Sequence, residues 1–402
     1  MTRRLGALLG LVAMAIQSVA VPAVAQSVAE SPTAELRGKP ITAIGPGYQP
    51  QDRDERGLWL IAEENERELK RSSFVVRDPA INAYVRGVLC RLVGDVECAD
   101  IRIYVLRVAD FNASMSANGV MIINTGLLMR LQDEAELAAV IGHEYAHYRY
   151  RHLLLGFREA RGKATLAVWL GMTIGVIGTL AALGGYFEYT RDMEAQADAE
   201  SVPLLTRAGY DPARAAQIWQ QIRDEADATA AARKTKSRKD KDRSIWATHP
   251  PTADRLAALT RLAAPHRGTG ETAGDRYRTV FTNFWPMLID DEIKRNDFGS
   301  TEFLLGNLAQ GNWSANLLYA RGELYRTRGR TEDMGAAIGF YQQAVATGAA
   351  PAEAYRGIGL AELRRGQTAE GKAALRQYLA LRPDASDRQM LAAMADEIMG
   401  GQ

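Results

Sequence analysis

Apolar and polar positions change their period several times along this chain, and each change marks a different element. Charged residues with an apolar stripe from Arg53 to Arg71 predict an amphipathic helix, and a second helix is expected from Ile81 to Leu92. Ile101 to Leu106 alternates apolar and β-branched residues as a strand does. Phe111–Met115 and Val120–Asn124 then read as a hairpin turning through Ala117-Asn118-Gly119. From Asp133 the period returns to that of a helix, with Glu136 three positions on as in a capping box and Leu137, Val140 and Ile141 as the apolar stripe.

That helix carries the chemistry. It ends in His143-Glu144-Tyr145-Ala146-His147, so two imidazoles four residues apart share one face and can hold one metal ion. Glu144 is turned by about 100° from His143, beside the ion rather than on it. This is the HExxH pattern, in which zinc acidifies a water to a pKa of about 7 and the carboxylate acts as general base. A third His six positions beyond His147 is missing, since Leu153 stands there, which excludes the metzincin arrangement. His152, five beyond His147, falls off the metal face and is expected to be an ordinary exposed histidine. The third ligand is expected to be Glu194, with Asp198 one turn later accepting the N–H of a ligand histidine. Closing the loop from His147 to Glu194 costs about 3 kcal/mol more than a minimal loop, against roughly 10–16 kcal/mol from a structural zinc ion.

HEYAH followed by RDMEAQAD resembles the HExxH plus ExxxD arrangement of the zinc metallopeptidases that include HtpX, the CAAX prenyl endopeptidases and the BepA-like periplasmic branch. Asn112-Ala113 and the run from Asn118 to Leu128 are similar to the edge hairpin preceding the zinc helix there, and Thr248-His249-Pro250 is similar to the THP motif of the BepA-like branch. The motifs span roughly residues 55–265. The resemblance implies a zincin-like fold, one zinc ion per chain, a gating role for His249, and, as partner and substrate, the outer-membrane barrel assembly machinery and stalled barrel proteins. From the residues themselves His249 has three readings: an imidazole held by Pro250-Pro251 that plugs the open zinc position, a donor to the oxyanion, or a histidine near a turn with no part in the site. An edge strand containing Asn112 and Ala113 can capture an extended substrate through main-chain hydrogen bonds.

The chain begins with Arg3 and Arg4, an apolar run from Leu5 to Ala20 and Ala23-Val24-Ala25, which reads as a signal peptide over residues 1–25 and implies export to the periplasm. Residues 26–52, rich in Pro and Gly, read as an irregular leader. Export makes a disulfide between Cys90 and Cys98 plausible chemistry, contributing about 2.5 kcal/mol in the chain-entropy account; two reduced thiols are the other reading. The uncharged run Ala164–Phe187 is long enough to cross a bilayer, but one crossing would put Glu194 on the far side from His143. A hairpin at the membrane surface and a buried core segment both remain open. Arg233–Arg243 reads as a solvated basic loop and a candidate lid, with contact to anionic lipid the alternative.

After about residue 268 the pattern is helical. Leu318, Gly322, Tyr325, Gly329, Ala337, Tyr341 and Ala344 recur approximately as Tyr355, Gly359, Gly366, Leu375 and Pro383, near the 34-residue tetratricopeptide period. Arg276–Gly311 is expected to add a helix pair, giving a small α-solenoid that binds protein segments; a plain helical bundle is the alternative. The whole is therefore expected to be α+β but mainly α: a zincin-like metallopeptidase domain with a small antiparallel edge sheet over 53–268, and tetratricopeptide-like repeats over 269–402. With 402 residues, 47% hydrophobic and a net charge of +1, nothing points to nucleic acid. Two functions fit: an exported zinc endopeptidase acting on misfolded or unassembled envelope proteins, or a chaperone or adaptor of barrel assembly with a structural zinc. The unused Glu144 favours the enzyme.

Overall fold

The computed structural model describes residues 43–161, 189–237, 249 and 252–396. The expected signal peptide, most of the expected leader, the uncharged run 164–187 and most of the basic loop lie outside the described residues. No helix among the described residues is long and apolar enough to cross a membrane. The described end of the leader is irregular, as its composition implies, yet it is docked. Ile44 is buried and donates its N–H to Arg149 O at 2.9 Å, and the Tyr48 hydroxyl donates to Glu55 at 2.8 Å.

The first helix, α1 (Arg53–Leu69), starts where Asp52 accepts from the Glu55 N–H; α2 (Pro79–Val93) starts where Asp78 accepts from Ala80 and Ile81, with Pro79 in the first turn. A one-turn helix, α3 (Asp95–Ala99), leads into β1 (Arg102–Leu106). The hairpin follows as β2 (Ala113–Met115) and β3 (Val120–Asn124). Gly119 turns it at φ +84°, and a Cβ there would lie 2.6 Å from Asp100 O, so glycine is required.

The expected antiparallel sheet is in fact mixed. β3 pairs antiparallel with β2 and parallel with β1, in the order β1-β3-β2. The cause is the burial of β3. All five of its residues are buried, with Met121 and Ile123 in the main core and Val120 and Ile122 against Leu69 and Leu106 on the other face, so β3 sits in the centre with a partner on each side. β2 is left at the edge.

Next come α4 (Thr125–Arg130) and the motif helix α5 (Glu134–Arg149). Asp133 caps α5 by accepting from Glu136 N at 2.9 Å, while the Glu136 carboxylate reaches Gln132 N rather than closing a full capping box. From Glu134 to His147 only Val140 escapes full burial, so α5 is a core helix wrapped on all sides. Gly142 lets its neighbours close in, since a Cβ there would come 3.2 Å from Leu92. Around it pack α2, α7 (Arg191–Arg207) and α8 (Arg214–Ala232), with α6 (His152–Arg161) after the motif and α9 (Ala253–Ala263) beyond.

The helices past residue 268 are α10 (Gly274–Phe281), α11 (Trp285–Lys294), α12 (Phe298–Ala309), α13 (Ala315–Arg328), α14 (Thr331–Ala346), α15 (Glu353–Arg364), α16 (Thr368–Leu381) and α17 (Arg388–Asp396). Arg276–Gly311 thus holds three helices, not a pair, because the Asn296 turn (φ +58°) breaks what the pattern joins. From α13 onward each helix packs on the next. Tyr341 is fully buried between α13 and α15, and a Cβ at Gly322 or Gly357 would strike its ring at 2.4 Å. Residues from Ile41 onward form one compact unit. Tyr277 and Phe281 belong to the same core as α5, and Tyr277 donates to Leu128 O at 2.5 Å. The Arg130 guanidinium, itself buried, binds Glu225 at 2.7 Å and Glu292 at 3.0 Å.

Candidate metal centre

Two helices and one loop residue converge. α5 supplies His143, Glu144 and His147. α7 supplies Glu194 and Asp198 after Thr190 caps it by accepting from Met193 N. His249 arrives just ahead of α9, which Thr252 caps. One nitrogen or oxygen from each of His143, His147, Glu194 and His249 lies within 4.8 Å of every other, and all four residues are buried.

The spacings suit a single ion. His143 Nε2 is 3.0 Å from His147 Nε2 and 3.2 Å from His249 Nδ1. Glu194 stands 3.5 Å from His143 Nε2, 3.4 Å from His147 Nε2 and 2.7 Å from His249 Nδ1. A tetrahedron with ligand bonds of about 2.0–2.1 Å has edges of roughly 3.3–3.4 Å, close to most of these values. Two imidazole nitrogens aimed at each other beside a carboxylate are what a shared cation would reconcile.

Electrostatics separate the two glutamates. Burial pushes Glu144 up to about 7, only partly opposed by His249, and its Oε2 is buried without a hydrogen-bond partner among the described residues. Burial would also raise Glu194, but His249 and Arg255 outweigh it and hold the carboxyl well below the usual range. Burial likewise drives His147 well below an ordinary histidine, toward the neutral ring a metal ligand presents, and lowers His152 to about 4. His143 Nδ1 lies 3.0 Å from Asp198 Oδ1. The structure thus places Asp198 beside the outer nitrogen of His143.

His152 requires a correction. It is fully buried, not exposed, with Nδ1 2.9 Å from His147 Nδ1 and Nε2 3.1 Å from Gln196 Oε1. The reason is local: α5 ends at Arg149, Arg151 adopts φ +53°, and a new helix begins at His152, so a helical wheel carried past Tyr150 points the ring the wrong way. Arg255 and Tyr189 escaped the sequence reading altogether. Arg255 Nη1 is 2.6 Å from Glu194, its Nε donates to Asp198 at 2.6 Å, and its guanidinium lies 4.1 Å over the Trp219 ring. Tyr189 stacks on His147 at 4.0 Å. The Thr252 cap starts a helix with Arg255 in its first turn, directly after His249, and that helix start was the available signal for Arg255.

The edge strand β2 packs beside α5. Two mostly apolar hollows flank it. One is lined by Phe111, Asn112, Ala113, Ile218 and Trp219, the other by Leu58, Ile61, Met115 and Tyr189; Glu144 and His249 border both. Away from the site, Cys90 and Cys98 are joined as a disulfide with Cα atoms 4.9 Å apart.

A buried HExxH helix facing an ExxxD helix beneath an edge strand defines a metallopeptidase. Residues 79–263, a little under half of the chain, match the model of Peptidase family M48, and proteins named beta-barrel assembly-enhancing protease are similar over part of this chain. The putative beta-barrel assembly-enhancing protease of Vibrio cholerae is 30% identical over 177 residues, 40% of this chain and 36% of that protein. The beta-barrel assembly-enhancing protease of Escherichia coli K12 is 25% identical over 208 residues, 48% of this chain and 40% of that protein. The mitochondrial metalloendopeptidase OMA1 of Arabidopsis thaliana is 34% identical over 113 residues, 28% of this chain and 23% of that protein. The chain therefore spans little more than a third of the length of the barrel-assembly relatives it matches.

Proposed function

We propose that this chain is an exported zinc endopeptidase of the periplasm that cuts misfolded or unassembled envelope proteins, with its later helices, read as tetratricopeptide-like repeats, recruiting substrate or the barrel assembly machinery. The observation that carries this reading is Glu144, a buried carboxylate with one free oxygen beside a three-ligand set of His143, His147 and Glu194. Zinc, when bound there, supplies Lewis acidity and activates water. The protein's own part follows from its geometry. β2, with Asn112 just ahead of Ala113, offers a sheet edge that is unpaired among the described residues to an extended chain, which reads backbone rather than sequence. The hollows on either side take apolar side chains of the kind an unfolded segment exposes. Glu144, held near neutrality, takes the proton from the attacking water and returns it to the leaving amine.

His249 gives the resting form. Its Nδ1 reaches the ligand cluster while its Nε2 lies 3.4 Å from Glu144, so it occupies the fourth position and covers the base together. A closed set of four ligands also suits a structural zinc in an adaptor, and one experiment separates the readings. Glu144→Gln should keep about one zinc per chain and lose at least 100-fold in cleavage of unfolded casein. Undiminished cleavage would refute the assignment of Glu144.

A further inference from the structure

We propose that His152, with Gln196 behind it, is a positioning residue that fixes the proton order of His147 so that the nitrogen facing the ligand cluster carries a lone pair. The inference rests on the reading of His147 as a metal ligand and goes beyond it.

The chain of contacts runs Gln196 Oε1, His152 Nε2, His152 Nδ1, His147 Nδ1, His147 Nε2, with the two gaps between residues at 3.1 and 2.9 Å. A neutral imidazole has one N–H and one lone pair, so the direction of each bond determines the next. The Gln196 carbonyl oxygen can only accept, so His152 Nε2 donates and His152 Nδ1 is left as an acceptor. His147 Nδ1 then donates to it. The lone pair of His147 falls on Nε2, which faces His143 Nε2 at 3.0 Å and Glu194 Oε1 at 3.4 Å. The same order is reached from the other end, because a ligating Nε2 must be unprotonated and the N–H it leaves on Nδ1 needs a buried acceptor. His152 Nδ1 is that acceptor.

The two ligand histidines are therefore backed differently: His143 by the Asp198 carboxylate, His147 by a neutral ring. Charge explains the difference. With a divalent ion in place, Glu194, Asp198, Glu144 and Arg255 already bring the buried centre to neutrality, and a second carboxylate behind His147 would leave an uncompensated charge in the core. A histidine supplies the acceptor without the charge. His152 is fully buried, and Tyr189, stacked on His147, lies beside it with ring centroids 6.2 Å apart.

The test uses the full chain. His152→Leu removes the acceptor, whereas His152→Asn puts Oδ1 close to where Nδ1 stood. Zinc affinity, measured by competition with a chromogenic chelator, should fall about 10–100-fold in the leucine variant and return to within a few-fold of wild type in the asparagine variant. Nitrogen-15 spectra of the metal-free wild type should show His147 protonated on Nδ1. Equal zinc affinity in wild type and a folded His152→Leu, no recovery with asparagine, or a proton on His147 Nε2 in the metal-free protein would each overturn the proposal. Should the leucine variant fail to fold, the spectrum of the wild type decides alone. His147→Ala serves as the reference: if it too keeps wild-type zinc affinity, the metal site itself is misread, and if it loses zinc while His152→Leu does not, only the relay fails.

Discussion

Arg255 donates from Nε to one oxygen of Asp198 at 2.6 Å, and the other oxygen of that carboxylate stands 3.0 Å from His143 Nδ1. Asp198 is thus pinned from behind while it orients a ligand in front. Asp198→Ala should weaken zinc binding by about 10–100-fold, measured by chelator competition. Arg255→Met should act on the fold instead, because it strands Glu194 and Asp198 together in the core. A loss of roughly 3–5 kcal/mol in urea denaturation of the metal-free protein is expected.

His249 is predicted to restrain the enzyme. Its ring touches the ligand cluster and the base at once, so His249→Ala should retain zinc and digest unfolded casein faster than wild type, or nick itself within residues 233–243. Slower cleavage by about 100-fold with zinc intact would make His249 an oxyanion donor. Unchanged rates would remove it from the site.

The buried Arg130 joins two stretches far apart in sequence, Glu225 on α8 and Glu292 on α11. Arg130→Met should cost roughly 3–5 kcal/mol, since two carboxylates are left facing each other without a cation. The double change Glu225→Gln with Glu292→Gln in the Arg130→Met background should recover most of the loss. Thermal melting at fixed protein concentration reads both effects.

Acid should unlock α1 from the sheet. Burial alone would raise Glu66, but hydrogen bonds from Arg102 and Tyr104 win and lower it to about 2. A carboxyl depressed in the fold stabilises it above its unfolded value near 4.3, and that contribution fades as pH falls toward 2. At pH 7 Glu66→Gln should therefore melt lower than wild type by an amount worth at most about 3 kcal/mol, and the gap should narrow steadily below pH 4.3. A gap that stays constant from pH 7 to pH 3 would contradict this account.

What the sequence revealed was chemistry with a local period. His143, Glu144 and His147 share a turn, as do Glu194 and Asp198, and helical geometry carried each group into the structure intact. The hairpin was legible from Asn118-Gly119 and the runs on either side. The parallel pairing of β1 was not, because it depends on β3 being buried on both faces, which no two-residue alternation announces. His152 was misplaced by a single left-handed residue, Arg151. Arg255 was invisible because its meaning lies entirely in tertiary partners, Glu194, Asp198 and Trp219. The repeat-like glycines Gly322 and Gly359 were legible, and the reason for them was not: each makes room for one large side chain, Tyr341 or Leu375, from a neighbouring helix.

The four metal-facing residues are spread from His143 to His249, a separation of 106 positions. Contacts between residues so distant form late, after the loop-closure entropy of the intervening chain has been met. Until α7 has packed on α5, neither helix alone holds more than a fragment of the centre. A nascent copy in which α7 has not yet reached α5 accordingly lacks the assembled metal set, and any hydrolytic capacity waits on that packing.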